Sequence, residues 1–195
     1  MFARAIEKER GDLMKTGMIL KRFTAKDGRT VTLRTPRWED LDDLMEFINS
    51  LVEEGADIGL NQKVARGEEA EWLGKRLALL DRDEEFSLVA EVDGKVVANS
   101  EITRRAGYSR HVGGLGIAIR KSYRDVGIGT EVLKTLVCQA KVMGLKILTL
   151  TVFSSNRRAV HVYEKLGFEE TGRIPNAIHK NGKFMDEIIM VKNIA

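Results

Sequence analysis

The chain has 195 residues, 43% hydrophobic and 31% charged, with a formal net charge of +3. That balance suits one folded domain with a substantial core and excludes a disordered chain. No apolar run approaches the roughly 20 residues needed to cross a bilayer, the N-terminal stretch contains acids and lacks a signal's apolar core, and the single cysteine, Cys138, cannot form an internal disulfide. A cytoplasmic protein with no membrane partner is expected.

Residues 1–17 show only a loose helical pattern and read as an N-terminal extension to one domain, 18–195. Met18 to Thr24 and Thr30 to Arg34 read as strands joined through Asp27-Gly28, a hairpin turn. Pro36 and the acids after it mark a helix start, and Leu41, Leu44, Met45, Ile48 and Val52 form one apolar face up to Gly55. A polar loop follows, then a second helix over about 67–81 that presents Leu73, Leu77 and Leu80 to the core. Phe86 to Val92 and Lys95 to Ile102 form a hairpin around Asp93-Gly94. A polar loop with Gly107 leads into an apolar run that ends in Ile117, Ala118 and Ile119, a buried strand.

Beyond that strand the period changes. Ile128, Val132, Leu133, Leu136 and Ala140 recur at helical spacing, and Cys138 in this helix is expected to be a packed thiol. Lys146 to Val152 is another buried strand, 157–166 a helix, and Phe168 to Ile174 with Phe184 to Val191 a last strand pair turning at Asn181-Gly182. The order implies an α/β architecture in one domain, a mixed sheet with helices on both faces. Charge is unevenly spread: 39–57 holds eight acids and no Lys or Arg, whereas the first 37 residues and 104–124 are basic. Most of this is solvated surface. One reading gives the basic stretch an anionic cofactor and the acidic one a cationic acceptor.

The junction between the central strand and its following helix carries the chemistry. A glycine-bearing loop that opens a helix leaves backbone N–H groups aimed at one point, where the helix dipole also favours an anion. The loop lacks the longer glycine spacing and Lys-Ser/Thr of a nucleotide P-loop, and the three glycines of a dinucleotide fingerprint. What stands there is Arg124-x-x-Gly127-x-Gly129. After the next strand come Asn156, Ala159, Tyr163 and a closing Gly167-Phe168. Together these patterns resemble the GNAT superfamily of N-acetyltransferases, over about residues 28–192.

The resemblance implies a mostly antiparallel sheet with a splayed central strand pair, and acetyl-CoA as co-substrate. It places the pyrophosphate on Arg124, Asp125, Val126, Gly127, Ile128, Gly129 and Thr130, and the pantetheine arm along Ile117, Ala118 and Ile119 and near Asn156, itself also a plausible helix N-cap. A backbone N–H of that strand would polarise the thioester carbonyl. Tyr163 becomes the general acid for the departing thiolate; its bland alternative is a core aromatic. Some relatives carry a Glu base where this chain has Gly114, so Glu101 on the preceding strand is the substitute, with His111 behind it. His161 and His179 have no visible metal partners, and no metal is expected.

The function implied is direct transfer of an acetyl group to a primary amine, on a small molecule or on a protein or peptide. The alternative is a non-catalytic acetyl-CoA or CoA-binding regulator. The partner expected is an amine-bearing acceptor, cationic if the acidic stretch receives it, with a homodimer left open. No nucleic acid is expected, because no cluster of stacking aromatics accompanies the basic stretches.

Overall fold

The computed structural model describes residues 16–195; nearly all of the expected N-terminal extension lies outside them. Eight strands form one sheet in the order β1-β2-β3-β4-β5-β6-β8-β7. They are β1 (Ile19–Thr24), β2 (Thr30–Arg34), β3 (Glu85–Val92), β4 (Lys95–Arg104), β5 (Val112–Ile119), β6 (Ile147–Phe153), β7 (Glu169–Lys180) and β8 (Lys183–Asn193). Every neighbouring pair is antiparallel except β5–β6. Four helices connect them: α1 (Leu41–Glu53), α2 (Arg66–Asp81), α3 (Ile128–Val142) and α4 (Arg157–Lys165). Among the described residues no helix is long and apolar enough to cross a membrane.

Alternation along the central strands fixes which helix covers which face. On β3, Val89 joins Leu41, Leu44 and Leu73 of α1 and α2 on one side. Its neighbours Leu88 and Ala90 join Ile128, Val132, Leu133 and Leu136 of α3 on the other. Both faces are therefore buried, as the apolar runs imply. The stripe α1 buries is Leu41, Leu44, Phe47 and Leu51, not the one expected. Met45, Ile48 and Val52 are only partly covered. A buried ion pair aims the helix: Arg34 at the end of β2 donates through both terminal nitrogens to Asp40 at 2.7 Å, and through Nε to Glu91 of β3. Such a pair is costly to break, because either survivor is left charged and dry.

Two further expectations change. Cys138 is exposed; Leu136, Gln139 and Ala140 take the inward face of α3. The strand expected to end at Ile174 continues to Lys180, with a register irregularity between Ile174 and Ile178. Pro175 sits there without an N–H to give, and Asn176 adopts φ +55°, so the ladder is interrupted and then resumes.

The feature that makes room for a site lies at the centre. β5 and β6 share only three register pairs, Val112↔Ile147, Gly113↔Leu148 and Gly114↔Thr149, and then part. Where they still touch, space is tight. A Cβ on Gly113 would lie 2.7 Å from Leu145 Cδ1 and 2.9 Å from Ile102 Cγ2, whereas one on Gly114 meets nothing nearer than 3.9 Å. Gly113→Ala should therefore lose about 1–3 kcal/mol of stability through overpacking, and Gly114→Ala should stay within about 1 kcal/mol of the wild type. Denaturant unfolding of the two variants checks this ordering.

Candidate active site

The parted strands open a cleft of about 1340 Å³. One end is the strand-to-helix junction. Gly127 is the N-cap of α3 at φ +93°, a left-handed conformation that glycine adopts without cost. Asp125 is also left-handed, at φ +65°. With the chain turned this way, the backbone amides from Asp125 to Thr130 donate to no described residue, and Gly127 and Gly129 line the cleft. Val126 and Ile128 anchor the loop instead of facing the cleft: Ile128 is fully buried and Val126 packs against the core. A nest of unpaired amides at the start of a fifteen-residue helix is an anion site.

The hairpin between β1 and β2 supports this loop. Lys26 N–H donates to Val126 C=O at 2.9 Å, and Arg29 donates to Ser122 C=O while its guanidinium lies 4.2 Å from the Tyr123 ring centroid. Lys26 thereby reaches the nest, and Lys26, Lys121, Lys134, Arg158 and Lys165 all line the cleft. Lys26 had no sequence signal pointing to it, since the contact is made across the sheet. Arg124, expected to meet the anion directly, is engaged by the protein: its Nε donates to Ile119 C=O at 2.8 Å, and its Nη2 pairs with Glu54. Asp125 carries a negative charge into the nest, and Arg158 neutralises it at 2.7 Å.

From the nest the cleft follows the free edge of β5. Leu115 to Ile119 line it, and none of them pairs with β6. Asn156 lines it from the other side and caps α4, its Oδ1 accepting from Ala159 N–H at 3.2 Å. Tyr163 follows two turns later. Its ring is buried and packs edge-on against Phe168, with centroids 5.9 Å apart. Its hydroxyl makes no hydrogen bond to a described residue, and the residue lines the cleft. Burial pushes the phenol up to about 12, so it stays protonated at neutral pH.

Glu101 faces the same cleft from β4. Its register partner on β5 is Gly116, where a Cβ would collide with the Glu101 carboxylate, so the missing side chain is what lets the carboxylate lie there. Glu101 has no hydrogen-bond or ion-pair partner among the described residues. Nearby, Arg76 of α2 pairs with the fully buried Glu85, which also accepts from Ser87 and Thr103. The acids of 39–57, read mostly as solvated surface, are largely paired, and Glu54 and Asp57 line the cleft. Seven of the eight are held in ion pairs, by Arg34, Arg66, Lys95, Arg120, Lys63, Arg124 and Lys180. The unpaired negative charge at this end comes from β4 and α2 instead. His111 does not line the cleft; His161 does, and among the described residues no group of three or more His, Cys, Asp or Glu could hold a metal.

The comparisons with known proteins agree with this geometry. Residues 45–168 match the Acetyltransferase (GNAT) family, and the chain belongs to that family. A solved acetyltransferase of the GNAT family from Streptococcus pneumoniae superposes with a TM-score of 0.75 at 30% identity, covering 84% of this chain and 99% of that one. A phosphinothricin acetyltransferase from Sinorhizobium meliloti, solved in complex with acetyl-CoA, has the same fold at a TM-score of 0.75 and 20% identity, over 84% of this chain and 88% of that one. An L-methionine sulfoximine/L-methionine sulfone acetyltransferase of Pseudomonas aeruginosa is 28% identical over 78 residues, 40% of this chain and 45% of that protein. The chain thus spans less than half the length of that relative.

Burial, with the Glu85 charge beside it, holds the Glu101 carboxyl above its ordinary 4.5, although Arg76 acts in the opposite sense. The folded chain then binds this proton more tightly than the unfolded chain, so stability falls as pH rises from 4.5. Glu101→Gln removes that cost. The variant should melt above the wild type at neutral pH, and the gap should close as pH drops below 4.5. Melting temperatures across that range decide it; superimposable curves would mean that the carboxylate is well solvated.

Proposed function

We propose that the chain is an acetyl-CoA-dependent N-acetyltransferase that transfers the acetyl group directly to a primary amine. One observation carries the reading. Tyr163 and Glu101, a proton donor and a proton acceptor with no hydrogen-bond partner among the described residues, face one cleft that ends on a nest of unpaired amides. Acetyl-CoA fits that set: its diphosphate would be held by the amides of Asp125 to Thr130 with Lys26 and Lys134 nearby, and its peptide-like arm by the free edge of β5 and by Asn156. When bound it supplies a thioester whose acyl carbon a neutral amine can attack.

The chain's own residues then have three tasks. An alkyl amine is mostly an ammonium at neutral pH, and Glu101, whose carboxyl is held above the usual range, takes its proton directly or through one water. An N–H on the free edge of β5 would donate to the carbonyl oxygen as it gains charge. Tyr163 gives its hydroxyl proton to sulfur as the carbon–sulfur bond breaks. Its high pKa means that the proton moves only once charge has developed on sulfur, and both residues recover their resting state by exchange with solvent. The cysteine is not placed for an acyl-enzyme: Cys138 lies exposed on α3 and does not line the cleft.

Tyr163→Phe keeps the ring and its contact with Phe168 and removes only the donor. It should lower kcat by roughly 10²-fold with acetyl-CoA affinity nearly unchanged. Because a thiolate with a pKa of about 8.5 can leave partly unaided, the deficit should shrink at high pH. Steady-state rates against pH together with calorimetric binding test this. A Phe variant with wild-type kcat at every pH would reduce Tyr163 to a core aromatic.

A further inference from the structure

With Glu101 and Tyr163 assigned, one buried carboxylate in the cleft is left without a task. Glu69, in the first turn of α2, is 6% exposed and lines the cleft. It makes no hydrogen bond or ion pair through its side chain with any described residue, and burial holds its carboxyl above the usual range. An unpaired carboxylate on a buried residue is costly to keep unless the cleft's contents answer it. Its neighbour Glu68 shows the alternative, reaching back to cap the helix at Ala65 N–H. Glu69 instead points along the face of α2 that carries Trp72 and Arg76, three and seven residues on, all of them in the cleft wall.

The charges at this end do not balance. Arg76 pairs with Glu85 through one terminal nitrogen, its Nε has no hydrogen-bond partner among the described residues, and its guanidinium lies 5.3 Å from the Trp72 ring centroid. Glu69 and Glu101 remain, two carboxylates without an ion-pair partner among the described residues, although the Arg76 charge acts on Glu101. An ammonium arriving to be acetylated answers Glu101. Nothing supplied by a simple monoamine answers Glu69, and an acceptor bearing a carboxylate would add a third negative charge.

We propose, resting on the acetyltransferase reading of the same cleft, that the acceptor carries a second cationic group on a flexible aliphatic chain, as a diamine or polyamine does, and that Glu69 binds it. Trp72, one helical turn from Glu69 on α2, gives the cleft an apolar, π-rich wall along which such a chain can lie. Glu54 and Asp57 of the acidic run at 39–57 also line the cleft, but each is already paired, with Arg124 and Lys180.

The test measures release of CoA thiol by the full chain with putrescine, spermidine, n-butylamine and γ-aminobutyrate. In the wild type, kcat/KM for the two polyamines should exceed that for n-butylamine by about thirtyfold or more, the difference falling on KM, with γ-aminobutyrate poorest. In Glu69→Gln the polyamine-to-monoamine ratio should collapse towards one, and Glu69→Asp should keep part of it. Equal use of putrescine and n-butylamine by the wild type overturns the proposal whether or not the Gln variant folds. So does a polyamine preference that survives Glu69→Gln, or transfer confined to amino acids and peptides. Each of those leaves the acetyltransferase reading standing. Acetyl-CoA binding without transfer to any amine, amino acids and peptides included, overturns that underlying reading instead.

Discussion

After Gly114 and Thr149 the two parallel central strands stop sharing hydrogen bonds, and the site depends on that parting. A buried strand normally satisfies its backbone on both sides. Here β5 keeps β4 as a full-length partner but loses β6 for its second half, so the backbone of Leu115 to Ile119 is left facing a cleft. β6 is not destabilised by the loss, because β8 pairs with it along its whole length. The opening is therefore held by the sheet on both sides.

The polar groups around the opening follow one pattern. Those that set the shape are paired: Arg34 with Asp40, Arg76 with Glu85, Arg124 with Glu54, Lys180 with Asp57. Lys180 also donates to Gly55 and Ala56 C=O, and Asn49 holds Val64 through both its amide atoms, so the loop after α1 is pinned against the cleft. Those left over, the amides of the loop before α3, the Tyr163 hydroxyl and the carboxylates of Glu69 and Glu101, have no partner among the described residues and line one space. Buried polar groups are ordinarily satisfied. Unpartnered polar groups gathered along one cleft, with the unpaired Nε of Arg76 beside them, suit a surface that ligands complete.

Much of this was legible in the sequence because it is local. A glycine at the left-handed N-cap of α3 and an Asn that caps α4 declare themselves within a few residues, and alternation with helical spacing placed every strand and helix. What escaped was made by contacts distant in sequence. Glu101 could be named, but the space it occupies is the absent side chain of Gly116 on the next strand. Lys26 meets the α3 loop across 100 residues, a separation no local pattern records. The acids at 39–57 looked unpaired because their cations come from Arg34, Lys63 and Arg66 nearby and from Lys95, Arg120, Arg124 and Lys180 far along the chain. Cys138 was misjudged since helical spacing fixes a stripe's period more firmly than its edges.

The central claim is that one cleft brings donor and acceptor together, so that the acetyl group passes straight from sulfur to nitrogen. Initial-rate kinetics with both substrates varied test it most directly. Double-reciprocal plots should intersect, and the intact mass of the chain incubated with acetyl-CoA alone should be unchanged. Parallel lines, with an acetylated chain that an amine discharges, would contradict the account.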